Sequence, residues 1–346
     1  MKRRKWIPLA IMIGVFSILI IGCGRKDDSL ELSEITIGYF PNITHAQALL
    51  MKAEGRLEER LAEEFPNQKI SVKWVAFNAG PNEVQALFAD EIDIGYIGPI
   101  PAISANVTSE GDIRVLAGAS NAGAVLLVNA QKELKGAFQE VEGEQTFNLT
   151  WLKGKTIAVP QLGNTQHLCL LALLDENGLK QTSEGGDVTI IAVANSDMET
   201  MMLAGEIDAA FLAEPWGARM EDSKVAKLAL DYHEVWKEGD YPVALLVGRI
   251  SFVKQQKKAV NVFLSVHQEI TECLQKEPEK YYKQINQEMA KVSGSLLDMD
   301  VMAKAFSRLK ITDKIERSAL QAFAVVDKRE GFIYELPGED LLFSFA

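Results

Sequence analysis

Glu-Ile-Asp followed by a short apolar run and a proline-containing loop occurs twice, as EIDIGYIGPIPAI from Glu91 and as EIDAAFLAEPWGA from Glu206, 115 residues later. A short apolar run of this kind, bounded by turn residues, is the pattern of a strand buried on both faces. Each copy follows a segment of helical periodicity. Val84, Leu87 and Phe88 share one face before the first, and Met198, Met201 and Met202 mark a face before the second. Each copy is therefore the return from a helix to a strand, and its proline loop lies at the carboxyl edge of that strand. A chain that makes this return twice is constrained to two α/β units.

The flanking segments repeat the same alternation. EITIGYF (34–40) is rich in β-formers and stops at Pro41, THAQALLMKAEGRLEERL reads as helix up to Pro66, and KISVKWVAF (69–77) alternates as a second strand. Pro81 suits the first turn of the helix that leads to Glu91. In the middle of the chain KTIAV (155–159) is a strand, QHLCLLALLDENG a helix closed by Gly178, and VTIIAV (188–193) a strand. This alternation predicts an α/β fold in which each unit is a mainly parallel sheet flanked by helices. The apolar pattern of the second unit is displaced by one residue, so the two copies share architecture without being a sequence-level duplication. GAVLLVNA (123–130) and YPVALLVGRISFV (241–253) are expected to cross between units, and from about Lys254 helical segments run to the C-terminus. The expected organisation is a discontinuous first lobe, 33–122 with 246–346, and a contiguous second lobe, 123–245. With 346 residues, 47% of them apolar and 24% charged, the chain is long enough for both.

The N-terminus is set apart from that globule. MKRRKW is basic, Ile7 to Gly22 is an uncharged apolar run of 16 residues, and Cys23 follows at once. A membrane span needs about 20 apolar residues, whereas a basic start, a shorter apolar stretch and a small residue before the break fit a secretory signal. Ile-Ile-Gly-Cys resembles the lipobox of bacterial lipoproteins, with Ile20 in place of the usual leucine, which implies cleavage at 1–22 and a lipid on Cys23. Residues 23–32 then read as a tether. Removing Lys2, Arg3, Arg4 and Lys5 takes the formal charge from −12 to −16, which repels phosphate backbones and argues against a nucleic-acid partner. Cys169 and Cys273 remain; they either bridge or stay as buried free thiols, the second being favoured by their apolar helical surroundings.

Two turns carry the same Asn-x-x-His pattern, NITH at Asn42 to His45 and NTQH at Asn164 to His167. At a helix start the free N–H groups and the positive end of the dipole favour an anion, and amide, hydroxyl and neutral imidazole add donors. Facing each other across a cleft, they would clamp one anion; alternatively the asparagines are plain helix caps. The loop at Gly98 and Pro99 lets a ligand approach the backbone, and Ser120 with Asn121 forms a further polar turn. Glu214 and Trp216 set an aromatic wall beside a carboxylate. That carboxylate either meets an amine on a zwitterionic ligand or pairs with Arg219 or Arg249. No zinc-hydrolase, Cys-x-x-Cys, Gly-x-Ser-x-Gly or phosphate-loop pattern is present, and four scattered histidines suggest no metal centre, so no catalytic residue, metal or cofactor is expected.

Taken in order, IGYFPNITHAQALLMKAEG, ALFADEIDIGYIGPIPAI, VPQLGNTQHLCLLALL and LAGEIDAAFLAEPWGARM resemble the substrate-binding lipoproteins of ABC importers in the nitrate/sulfonate/taurine family, over almost all of residues 35–255. The resemblance implies a two-lobe periplasmic-binding-protein type II fold with the ligand between lobes. It also implies delivery of the solute to a membrane permease with a cytoplasmic ATPase. By that resemblance the ligand-facing positions are Asn42, Thr44 and His45, Gly98 and Pro99, Ser120, Gly163, Asn164, Thr165 and His167, and Glu214 with Trp216. An alkanesulfonate or taurine is the first expectation, since neutral donors suit a tetrahedral oxyanion; nitrate, bicarbonate and pyrimidine thiamine precursors are the alternatives. The chain is expected to act as an exported, lipid-anchored monomer on the outer face of the cell membrane. Some cofactor-biosynthesis enzymes share this fold, but the export signal and the missing catalytic constellation argue against that class.

Overall fold

The computed structural model describes residues 32–236 and 240–344. The expected export signal, Cys23 and all of the expected tether except Leu32 lie outside the described residues. Six strands form one sheet: β1 (Glu34–Tyr39), β2 (Ser71–Ala76), β3 (Ile94–Ile97), β4 (Ile113–Ala122), β12 (Pro242–Arg249) and β13 (Leu309–Ile311), in the order β13-β4-β12-β3-β1-β2. Five form another: β5 (Ala124–Asn129), β8 (Thr156–Val159), β9 (Thr189–Ala192), β10 (Ala209–Ala213) and β11 (Ala226–Leu230), in the order β11-β5-β10-β8-β9. A hairpin of β6 (Phe138–Val141) and β7 (Glu144–Phe147) stands outside both.

The first lobe connects its strands through α1 (Ala46–Glu54), α2 (Arg56–Glu64), α3 (Gly80–Phe88) and α4 (Pro99–Thr108). The second uses α5 (Thr165–Glu176), α6 (Asn195–Leu203), α7 (Trp216–Asp222) and the single turn α8 (Tyr232–Val235). After β12 come α9 (Ile250–Gln255), α10 (Lys257–Lys276), α11 (Tyr282–Ser293), α12 (Met299–Ser307) and α13 (Arg317–Arg329). Val260, Phe263, Val266, Ile270 and Leu274 of α10 are buried in one cluster with Leu49 and Leu50 of α1. At roughly 1.5–3 kcal/mol per buried large side chain, that stripe fixes α10 to the first lobe. By contrast α13 packs on α4 and also on α5 of the second lobe.

Both sheets are mixed where a mainly parallel one was expected. In each, the β-α-β-α-β unit gives three parallel strands with the same spatial order, β2-β1-β3 and β9-β8-β10. The crossing strands break the pattern, β12 running antiparallel to β3 and β4 and β5 antiparallel to β10 and β11. A strand that arrives from the other lobe enters its sheet at the carboxyl edge, where the parallel strands end, and so runs opposite to them, Ala124 pairing with Ala213 and Leu245 with Ile97.

The repeated Glu-Ile-Asp has a common job. Asp93 donates its N–H to the Thr36 carbonyl and accepts the Thr36 N–H on Oδ2, both at 2.9 Å; Asp208 makes the same two bonds to Thr156, at 2.8 and 2.9 Å. Ion pairs to Arg249 and Lys132 hold the two carboxylates, and Ile92 and Ile207 are buried beside them. Each copy thus locks the start of the first strand of its β-α-β-α-β unit, β1 or β8, at the end of the sheet opposite the proline loops. Gly38 and Gly95 make room for Glu83, since a Cβ on either would lie 2.2 or 2.3 Å from its Oε1. With neither oxygen bonded, burial pushes the Glu83 carboxyl well above the usual carboxylate range.

Candidate functional site

The carboxyl ends of the parallel strands in both sheets feed into helices that start around one cavity of about 20 Å³. It is lined by Asn42, Thr44 and His45 ahead of α1, Asn78, Ala79 and Gly80 at α3, Gly98 and Pro101 at α4, Asn164, Thr165 and Gln166 at α5, and Asn195 at α6. Phe40, Pro160, Ala213 and Val243 complete the wall. Five helix starts therefore converge on it, and no lining side chain carries a fixed charge. Free N–H groups and dipole ends of this kind hold an anion. The Thr165 hydroxyl and the Asn195 Oδ1 are buried there without a hydrogen-bond partner. Buried polar atoms normally have partners, so both are available to a polar guest.

A second cavity, of about 160 Å³, shares Asn42, Asn78 and Asn195 with the first and is otherwise lined by Pro41, Ala76, Phe77, Ser196, Trp216, Val292 and Ser293. Its wall of Pro41, Phe77, Trp216 and Val292 is apolar. The pair of cavities offers a polar inner end and an apolar outer one.

The two Asn-x-x-His turns use their histidines alike. His45 Nδ1 accepts the Phe40 N–H at 3.1 Å, and His167 Nδ1 accepts the Gly163 N–H at 3.0 Å. Each neutral ring must then carry its proton on Nε2. Burial lowers His45 to about 3 and His167 to about 4, so both are uncharged donors at neutral pH. Only His45 lines the cavity; the His167 ring is edge-on to Phe332 of the C-terminal segment, and its Nε2 is buried without a partner. The asparagines differ. Asn164 Oδ1 accepts the His167 N–H at 2.8 Å, an ordinary cap, while Asn42 Oδ1 accepts Trp216 Nε1–H at 2.7 Å from the other lobe. That bond leaves the Asn42 NH2 group as the donor end.

Of the residues singled out in the sequence, Asn42, Thr44, His45, Gly98, Asn164 and Thr165 meet at the inner cavity and Trp216 at the outer one. Pro99 opens α4 without lining either. Ser120 is buried behind the turn, donating its hydroxyl to the Thr44 carbonyl at 2.6 Å, and Asn121 donates to Asp240. Gly163, at φ +80°, packs beside Phe332 and Pro81. Glu214 faces no cavity: it is fully buried, with Oε1 on Arg308 at 2.8 Å and Oε2 accepting the Ala218 N–H at 2.9 Å. Its partner is thus neither Arg219, which pairs with Glu199, nor Arg249, which pairs with Asp90 and Asp93. Burial raises the Glu214 carboxyl and the Arg308 charge opposes the rise. Asn78, Asn195 and Arg308 were not anticipated, and Gln166 entered only as part of the NTQH turn. Asn78 and Asn195 each sit in a polar turn between strand and helix, the signal that could have found them. Cys169 and Cys273 are free thiols.

The profile of the NMT1-like family matches residues 28–292. A Bacillus subtilis (strain 168) protein named for binding aliphatic sulfonates is 30% identical over 214 residues, 60% of this chain and 57% of that protein. The chain spans about half the length of the curated relatives it matches. Among solved structures, the alkanesulfonate-binding protein SsuA from Xanthomonas axonopodis pv. citri, bound to MOPS, superposes with a TM-score of 0.71 at 21% identity, covering 90% of this chain and 99% of that one. The periplasmic nitrate-binding protein NrtA from Synechocystis PCC 6803 gives 0.67 at 15% identity, over 88% of this chain and 83% of that one. The fold is the two-lobe type II fold of periplasmic binding proteins.

Proposed function

Since the chain belongs to the NMT1-like family, we propose that it is the extracytoplasmic solute-binding component of an ABC importer and that its solute is a small organic anion, an alkanesulfonate in the first place. The observation that carries the reading is the pair of cavities. An oxyanion fits among the uncharged donors of Asn42, His45 and Thr165 and the five helix starts, and a short alkyl tail fits against Pro41, Phe77, Trp216 and Val292. Taurine would bring an ammonium group, and no carboxylate lines either cavity. Taurine is therefore expected to bind more weakly than an alkanesulfonate of similar length. The small volume of the inner cavity favours a second reading, a bare inorganic anion such as nitrate or bicarbonate.

Calorimetric titration of the full chain in detergent with methanesulfonate, butanesulfonate, taurine, nitrate, bicarbonate and a pyrimidine separates these. Tightest binding of butanesulfonate supports the reading; nitrate or bicarbonate binding with no response to any sulfonate overturns it. We further propose lobe limits that follow the strands, 32–122 with 242–344 and 124–235. The basic start and lipobox-like sequence support export and a lipid on Cys23, with a permease and its ATPase as partners. Unchanged processing and lipid labelling of Cys23→Ala would remove the anchor.

A further inference from the structure

We infer that Arg308 is a positioning residue for the solute site, acting through the Glu214–Trp216 turn and through it on Asn42. The inference rests on the reading of the two cavities as that site. Arg308 lies between α12 and β13, and the next residue, Leu309, pairs with Ala122 at the end of β4, where the chain crosses to β5. It is 7% exposed, and all its acidic partners belong to the second lobe: Glu214 Oε1 at 2.8 Å and Glu221 Oε2 at 2.6 Å from Nη1, and Asp231 Oδ1 at 3.5 Å from Nε. A first-lobe guanidinium therefore holds a second-lobe turn at the point of crossing.

That turn is tied down from several sides. The Glu214 N–H donates to the Gly123 carbonyl at 2.8 Å, its Oε2 accepts the Ala218 N–H, and a Cβ on Gly217 would lie 3.0 Å from Glu214 Oε1 and 2.4 Å from Val125. Two residues after Glu214, Trp216 donates to Asn42 Oδ1 across the cleft and walls the outer cavity. The order of contact is Arg308, Glu214 and its turn, Trp216, Asn42. Arg308 lines neither solute cavity, so it acts on the solute only through this chain. Without the guanidinium, the second-lobe turn loses its tie to the first lobe and Glu214 keeps one backbone donor for a fully buried carboxylate, so the turn shifts and Trp216 moves with it.

The test uses the full chain in detergent, with Arg308→Met, Arg308→Lys and the double variant Arg308→Met with Glu214→Gln, which keeps an acceptor for Ala218 but removes the buried charge. Two readouts are taken. Acrylamide quenching of Trp216, obtained by difference against the same proteins carrying Trp216→Phe, needs no solute; Trp216 is 6% exposed, so it starts shielded. Calorimetry with butanesulfonate gives affinity. Arg308→Met is expected to raise Trp216 quenching severalfold, leave the other tryptophans unchanged and weaken butanesulfonate at least tenfold. Arg308→Lys should recover both readouts to within about threefold. If Arg308→Met does not fold, the double variant removes the buried charge but still lacks the guanidinium that ties the second-lobe turn to the first lobe through Glu221 and Asp231, so Trp216 quenching is expected to rise in the same direction and by less. Shielded Trp216 in the folded variant overturns the inference whatever binds. Failure of the unmodified protein to bind any sulfonate overturns the solute reading alone, because the quenching result still decides the positioning of Trp216.

Discussion

Gly98→Ala isolates the closure of the two lobes from the stability of either. Gly98 has φ −69° and ψ 158°, a conformation open to any residue, so alanine brings no backbone strain and a slightly less flexible unfolded chain. Its Cβ would nevertheless lie 2.4 Å from the Thr165 hydroxyl of the opposite lobe, with the next neighbours at 3.5 and 3.7 Å. One atom obstructs, and it is about 1 Å inside ordinary contact. Either Thr165 rotates, which takes its hydroxyl out of the inner cavity, or the lobes stand about 1 Å further apart, which a 2.7 Å Trp216–Asn42 hydrogen bond does not survive. Overpacking of this kind costs about 1–3 kcal/mol, or roughly 5- to 150-fold in Kd. Calorimetry with butanesulfonate reads the loss, and urea unfolding without solute should stay within about 0.5 kcal/mol of the parent. In a Thr165→Ala background the same substitution should cost less than about 0.5 kcal/mol, since the obstructing atom is gone. Native affinity in Gly98→Ala, or a penalty that persists unchanged in the Thr165→Ala background, would refute the reasoning.

Asn164→Ala should lower unfolding stability by about 1 kcal/mol as a lost cap, while Asn42→Ala should leave stability nearly unchanged and weaken solute binding by about 1–3 kcal/mol; urea titration and calorimetry of both variants check the contrast. Because burial holds His45 at about 3, solute affinity should be flat from pH 6 to 8. A decline as pH rises through 6 to 7 would show a protonated ring instead. The same depressed value means that stability is fully present above the unfolded value of 6.5 and is lost as pH falls toward 3, by about 1.4 kcal/mol per pH unit for this one group; denaturant titration across that range, with His45→Gln as control, measures it. Asp327 has the opposite sign. Burial raises it to about 7, with only the Ser104 hydroxyl at 3.2 Å opposing, so its contribution is present below 3.8 and is lost as pH rises to about 7. Asp327→Asn should flatten that limb of the stability profile.

How much of this could be read from the chain depends on the range of the interaction involved. Strand, turn and helix starts are local, so the doubled Glu-Ile-Asp located two equivalent returns and the turns at Asn42, Gly98 and Asn164 were found at the inner cavity. Strand direction was not local. Periodicity is the same for β5 and β12 whichever way they run, and only the crossing decides that they lie antiparallel. The Asn-x-x-His turns show the limit most clearly. His45 and His167 accept backbone N–H groups in the same way, yet Asn164 caps its own helix while Asn42 bonds to Trp216, 174 residues away in sequence. Glu214 has Arg219 five residues downstream, but its partner is Arg308, 94 residues on, because Arg219 is already paired with Glu199 and only Arg308 reaches the turn from the first lobe.

On the proposed reading, that pairing also explains how a site for an anion can do without a cation. Arg308 is the buried guanidinium that stands behind the Trp216 turn, and a lone positive charge there would attract any anion regardless of shape. Glu214, Glu221 and Asp231 surround it instead, with Lys304 also on Glu221, so the guanidinium is taken up by its own partners and is not offered to the cavity. Attraction is left to five helix starts and to the Asn42, His45 and Thr165 donors, whose strength depends on distance and direction far more steeply than that of a point charge. Discrimination among anions must then come from where their oxygens fall, and release needs no buried ion pair to be broken. Replacing Asn42 by lysine tests the trade directly. A fixed charge at that position should tighten binding of every small anion, nitrate and methanesulfonate alike, and narrow the difference between them in paired calorimetric titrations; an unchanged ratio of the two affinities would mean that selectivity resides in the outer cavity alone.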